Sequence, residues 1–353
     1  MRKYIIPLAL CMLSWFILPA NGSDTTCPAA GPFRLKPGDT VGLIAPANSL
    51  TRYDMERFDA GIAALEAEGL KVRYREDIRE RVYGALAGKD HERAEEFMEM
   101  VTDPCVKAIF TIAGGYGSMR ILDHIDWELV RQNPKIFAGF SDNTALHLAI
   151  HTRAGFPSVH STGIIFLWGN PHPRPYALRH MKALILSSTD ELTQLEDWGG
   201  DYQDAVSSIE VKTLHPGTAE GILVGGNLSL VTALTGTPYE PDWNGKIMFL
   251  EEVGEPLYRI DRMLMQLKLS GAFDKINGLI LGRFVRVDAY EEQPDYTLQV
   301  VFSDLLGEYD YPVIYDFPTG HIQDNLPLPI GSRVRVSSEK PYLSILEDPF
   351  PIP

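Results

Sequence analysis

Short apolar runs alternate with segments of helical spacing along most of the chain. Residues 39–47, D-T-V-G-L-I-A-P-A, are nearly continuous in apolar character after the turn Lys36-Pro37-Gly38, which predicts a buried strand. Residues 57–69 carry Phe58, Ile62 and Leu65 on one helical face, with Gly69 placed to stop the helix. A second strand is expected at 71–74. A helix over 90–101 follows, with Asp90 as its N-cap and Arg93 as a partner for nearby acids. The apolar strand at 106–112 then ends in Ala113-Gly114-Gly115-Tyr116-Gly117. Residues 136–150, I-F-A-G-F-S-D-N-T-A-L-H-L-A-I, read as strand, sharp turn and helix, with Ser141 at the turn. This alternation predicts an α/β fold with a parallel sheet wrapped by helices. Ligands bind beyond the carboxyl ends of such strands, so the 114–117 loop and Ser141 can share one crevice.

The pattern breaks over 170–217, where Pro171, Pro173 and Pro175, Trp198-Gly199-Gly200 and several acids suggest a surface connection. Strands are expected again at 221–227 and at 246–250, the latter running into Glu251, and also at 278–282, 312–315, 333–336 and 342–346. Helices are expected at 228–235 and 258–269. A chain of 353 residues exceeds what one core usually organises. The expected division is residues 33–169, a connection over 170–217, and 218–353.

Residues 1–22 differ from the rest. Arg2 and Lys3 precede an apolar run over 4–18, and small residues follow at 19–22, the pattern of a cleaved export signal. The run falls short of the roughly 20 residues that span a bilayer. Cys11 follows Leu10, which disfavours a lipid-anchored cysteine. The mature chain is thus expected in the periplasm or outside the cell, with no membrane partner after cleavage. Cleavage leaves Cys27 and Cys105, which either pair in an oxidising compartment or remain a tail thiol and a small buried residue. With no C-x-x-C spacing, they give no zinc signal, and no metal or cofactor is expected.

The composition is that of an ordinary globular protein. A net charge of −15 without a basic cluster argues against nucleic acid and anionic membrane as partners. A homodimer is left open.

Taken alone, Ser141 reads as an N-cap, because G-F-S-D-N lacks the last glycine of the hydrolase elbow G-x-S-x-G. The glycine loop adds weight, since its backbone N–H groups can approach a ligand closely. It has neither the lysine of a phosphate-binding loop nor the dinucleotide fingerprint. A serine nucleophile needs a base and an orienting carboxylate. His147 and His151 lie four apart, as a metal pair would, but lack a third ligand and read as helix surface; His160 follows Pro157-Ser158-Val159 and is a candidate neighbour of the site, and His321 lies on a loop after a glycine turn. Glu251 ends an apolar strand at a sheet rim. Composition and spacing leave these candidates open.

The sequence F-A-G-F-S-D-N-T-A-L at 137–146, G-G-Y-G at 114–117, G-G-N-L at 225–228, F-L-E-E-V-G-E at 249–255 running into Y-R-I-D-R-M-L, and G-H at 320–321 occur together. In this combination the chain resembles the LD-carboxypeptidase family, serine peptidases that include the microcin C self-immunity peptidases. The resemblance covers about residues 35–346. It implies an N-terminal doubly wound domain bearing the nucleophile and a smaller C-terminal α/β domain bearing acid and base. The implied triad is Ser141, Glu251 and His321, with the N–H groups of Gly115 and Asp142 as oxyanion donors. The implied substrate is a murein stem tetrapeptide cleaved before its terminal D-Ala. A peptide-nucleotide amidase is the alternative within the family, and a periplasmic binding module the alternative outside it. A carboxypeptidase also needs a cation for the free carboxylate, for which Arg259, Arg262 and Arg120 are the candidates. Many relatives carry arginine before the glycine loop, where this chain has Ala113.

Overall fold

The structure, a computed structural model, describes residues 31–53, 55–172, 174–187, 195–200, 210–287 and 295–352. The expected export signal and both Cys11 and Cys27 lie outside the described residues. The first strands are β1 (Thr40–Ile44), β2 (Lys71–Arg73), β3 (Val106–Thr111), β4 (Ile136–Gly139) and β5 (Ser158–His160). They are followed by β6 (Lys212–His215), β7 (Thr218–Asn227), β8 (Ile247–Val253), β9 (Gly278–Val285) and β10 (Val313–Tyr315). Last come β11 (Leu328–Ile330), β12 (Arg333–Ser337) and β13 (Leu343–Ile345).

Two sheets result, ordered β11-β5-β4-β3-β1-β2 and β13-β12-β7-β8-β9-β10-β6. In the first, β1 to β5 run parallel in the 2-1-3-4-5 order of a doubly wound sheet, and β11 closes the β5 edge antiparallel. In the second, β7 to β10 run parallel between antiparallel β12 and β6. The chain is therefore α/β in both halves. All four residues of β4 are buried, as expected where helices cover both faces of a sheet.

The helices are α1 (Met55–Ala67), α2 (Asp90–Thr102), α3 (Trp127–Gln132), α4 (Thr144–Ala149), α5 (Pro175–Ile185), α6 (Leu228–Ala233), α7 (Leu257–Leu269) and α8 (Leu298–Leu306). The stretch holding α5 was expected to be irregular because of its prolines. Pro175 instead occupies the first turn, where a missing N–H costs nothing. Behind it Tyr176, Ala177, His180, Met181 and Leu184 are buried at helical spacing.

The sheets meet where α4 packs on the end of β7. Ala145, Leu146 and Leu148 share one apolar core with Val224, Leu228 and Leu250. The Asn227 N–H donates to Thr144 Oγ1 at 3.0 Å. Gly226 sits so close that a Cβ there would lie 2.5 Å from Thr144 Oγ1. Among the described residues, no helix is long and apolar enough to cross a membrane.

Candidate active site

The strand β4 delivers Phe140 in extended geometry, and the chain then turns sharply at Ser141, whose φ is 60°. A non-glycine residue in this left-handed region is strained, and here the strain projects the hydroxyl away from the sheet. Two neighbours hold the turn. Gly139 leaves room for Asn143, whose amide donates to Thr111 Oγ1, Ala113 O and Phe140 O at 3.2, 3.2 and 3.0 Å. His147 is fully buried and not on a helix surface, because its ring nitrogens are needed inside. Nε2 donates to Gly139 O at 2.9 Å, leaving Nδ1 to accept from Ser158 Oγ at 2.7 Å. Burial pushes its imidazole down to about 4.

Glu251 and His321 reach Ser141 from the second sheet. His321 Nε2 lies 2.9 Å from Ser141 Oγ, and His321 Nδ1 lies 2.6 Å from Glu251 Oε2. Glu251 is wholly buried, whereas His321 keeps partial exposure. With a carboxylate on Nδ1, that nitrogen carries the proton and Nε2 is left to accept from the serine hydroxyl. The pairing of β8 with β9 shifts register between Leu250 and Glu252, and both neighbouring acids are buried. Asn227 Nδ2 donates to Glu251 Oε1 at 3.3 Å and to Glu252 Oε1 at 2.9 Å. Glu252 accepts from the Ser229 N–H and hydroxyl at the start of α6. Burial pushes its carboxyl up against the lowering effect of those bonds. On the base side, Gly320 (φ 128°) packs against Arg283 O and Glu251 Cβ, and its N–H donates to Asn325 Oδ1 at 2.6 Å.

The glycine loop abuts the turn. A Cβ on Gly114 would lie 3.0 Å from Ser141 Cβ and 3.5 Å from the Asp142 nitrogen. The Asp142 side chain, almost entirely buried, points toward this loop and accepts the Ser118 N–H at 2.7 Å, while its carbonyl accepts from the Ser118 hydroxyl. Burial pushes that carboxyl up, opposed by the Ser118 and Gly117 bonds. From below, the buried Arg93 donates to Gly117 O at 2.8 Å and also to Pro46 O.

A cavity of about 630 Å³ opens over these groups, lined by Gly114, Gly115, Ser141 and His321 together with Tyr53, Phe166, Arg174 and Arg286. Arg120 is paired with Asp90 and Arg259 with Glu255, while Arg262 lies over the Tyr258 ring; none of the three lines this cavity. His160 is buried behind the site against Phe140 and Phe249. His151 is pushed down to about 4 by burial, with Lys246 adding to the effect. Among the described residues, no group of three or more His, Cys, Asp or Glu could hold a metal. Asn227 lies in the strand expected at 221–227 and in the G-G-N-L motif, neither of which assigns it a role; its position at the end of β7, opposite Glu251 in β8, was the available signal. A hydroxyl, an imidazole and a buried carboxylate in hydrogen-bonded series suit acyl transfer.

Residues 41–161 match the LD-carboxypeptidase N-terminal domain and residues 220–336 the LD-carboxypeptidase C-terminal domain. A probable murein peptide carboxypeptidase of Bacillus subtilis is 36% identical over 307 residues, 87% of this chain and 91% of that protein. A murein tetrapeptide carboxypeptidase of Pseudomonas aeruginosa is 30% identical over 295 residues, 82% of this chain and 91% of that protein. Among solved structures, a microcin C7 self-immunity protein in complex with adenosine monophosphate shares the fold. It matches with a TM-score of 0.79 at 24% identity, over 90% of this chain and 99% of that one.

Proposed function

Because this chain belongs to the LD-carboxypeptidase family and is a serine-type hydrolase, we propose that Ser141, Glu251 and His321 form a triad that releases the terminal D-Ala from murein stem tetrapeptides. The observation that carries this reading is the continuous pair of hydrogen bonds, 2.9 Å from Ser141 to His321 and 2.6 Å from His321 to Glu251. His321 Nε2 takes the hydroxyl proton as Ser141 Oγ attacks the carbonyl carbon of the L-centred diamino acid residue. The Gly115 and Asp142 N–H groups receive the oxyanion, and Glu251 stabilises the imidazolium. The C–N bond then breaks, His321 gives its proton to the departing D-Ala nitrogen, and an acyl-serine ester remains. Water repeats the sequence, and Ser141 leaves protonated.

The compartment we propose is the periplasm or the cell exterior. Support comes from Cys105, which is disulfide-bonded to a partner outside the described residues; such bonds persist in oxidising compartments.

Ser141→Ala tests the reading. D-Ala release should fall by roughly four orders of magnitude or more, and full activity in that variant would remove the triad. It also separates the enzyme from a binding module, for which no turnover is expected in either form. A second reading, an amidase for peptide-nucleotide antibiotics, draws on the edge-to-face pair Tyr53 and Phe166 in the cavity wall, 5.7 Å apart, which offers a base a stacking surface. Parallel assays with a tetrapeptide and an aspartyl-amide nucleotide discriminate the two.

A further inference from the structure

Two arginines line the cavity over Ser141, and they differ in kind. Arg286 follows β9 with a left-handed φ of 53° and is exposed at the rim, where water and salt screen it. Arg174 immediately precedes α5 and is half-buried. Its Nη1 is shut off from solvent and has no hydrogen-bond acceptor. No ion pair involves Arg174 among the described residues; the acid whose charge it feels is Asp324. Asp324 accepts one hydrogen bond from the Ala177 N–H in the first turn of α5, and its Oδ1 is buried without a partner, yet the Arg174 and Asp324 side chains form no hydrogen bond with each other. The Ala177 bond ties the start of α5 to the loop carrying His321, so that cation and imidazole are held on one framework.

A buried guanidinium nitrogen without an acceptor is unfavourable unless a ligand supplies one. Burial holds this guanidinium below its ordinary value; Asp324 opposes the shift and Arg57 adds to it. An arriving anion would relieve that condition, and in a partly dehydrated cavity its attraction is stronger than at the surface. On the reading of the site as a carboxypeptidase, which this inference rests on, the departing residue presents a free carboxylate close to the bond that breaks. We propose that Arg174 is the specificity-determining residue, binding the free α-carboxylate of the residue to be released through a guanidinium–carboxylate pair in the Ser141 cavity. The flat fork of the guanidinium matches the two oxygens of a carboxylate and loses half its acceptors when the terminus is amidated.

Binding to the Ser141→Ala protein decides the matter without turnover. The probes are a murein stem tetrapeptide ending in D-Ala and the same peptide with a C-terminal amide, titrated calorimetrically. The free acid should bind about tenfold more tightly or better than the amide, the range for a hydrogen-bonded charge. Adding Arg174→Gln should erase that preference, Arg174→Lys should restore part of it, and Arg286→Gln should leave it in place. An acid preference that survives Arg174→Gln overturns the assignment. So does an equal loss of affinity for acid and amide, which would put Arg174 against another part of the peptide, and so does the absence of any preference at the start. If the glutamine variant fails to fold, as judged by circular dichroism, the lysine variant decides: it must fall between the parent and zero preference. Failure of the Ser141-bearing protein to release D-Ala would count against the proposed function instead, and that assay is independent of these titrations.

Discussion

Ser141 is held at a φ of 60°, a conformation that costs an ordinary side chain roughly 1–2 kcal/mol and glycine almost nothing. Ser141→Gly is therefore expected to stabilise the fold by about 1 kcal/mol while abolishing hydrolysis. Urea denaturation checks the first effect and D-Ala release the second; a destabilised variant would show that the turn is not strained. A different residue contributes to behaviour in acid. His147 is neutral in the fold, with its ring held down to about 4 against an ordinary 6.5. The unfolded chain binds a proton that the fold refuses, so this contribution is complete above pH 6.5 and is lost as pH falls from 6.5 through 4. At pH 5 the loss amounts to ~2 kcal/mol. The loss of stability between pH 7 and pH 5 should shrink by about that amount in His147→Gln, read from denaturant midpoints at the two pH values. His151 and His160 act with the same sign, and the buried Asp142 and Glu252, whose carboxyls are pushed up, act with the opposite one. The comparison of parent and variant reads His147 together with its coupling to the His160 ring 5.8 Å away.

At the scale of elements, what aims the serine is the contact between the end of β7 and the start of α4. Gly226 has a φ of 145°, and a methyl group there would meet Thr144 Oγ1 at 2.5 Å and Cγ2 at 2.6 Å. Gly226→Ala should push α4, and Ser141 with it, out of line with His321. A misplacement of about 1 Å costs on the order of 10²-fold, so kcat should fall far more than the melting temperature suggests. Steady-state kinetics on folded protein would test this. The elements themselves were largely legible: buried parallel strands are continuous apolar runs, and α1 and α7 carry apolar residues at helical spacing. Elements over 127–132, 158–160, 212–215 and 298–306 were also not expected, and two of the exceptions, α5 and β11, have local causes. Three prolines masked α5, although Pro175 serves as its first residue. The strand β11 is three residues long with Pro329 at its centre, tolerable at a sheet edge and invisible to periodicity. In the site, Ser141 could be picked out as a turn residue. Its partner 180 positions away was nameable only through the family resemblance, because local patterns carry no distance. Arg174 was not nameable at all, since a cation's lack of a partner exists only once the chain has folded.

At the scale of the whole molecule, the crevice is a joint product of both sheets, with Ser141 supplied by one and Glu251 and His321 by the other. The linear division of the chain into an early and a late half does not run cleanly through the fold, because β11 comes from the late half and hydrogen-bonds to β5 in the early sheet. Leu328 pairs with His160 and Ile330 with Ser158, and Leu328 and Ile330 are fully buried. For the ancestry of such proteins this means that crossovers between related genes are not free to fall between the halves. A chimera joined between residues 187 and 210 inherits a β11 that was selected against another β5. It should be less stable than either parent. Returning residues 328–330 to the version that matches its β5 should recover most of the loss, as melting of the paired chimeras would reveal. In such a chimera the last strand of the first sheet travels with the wrong parent.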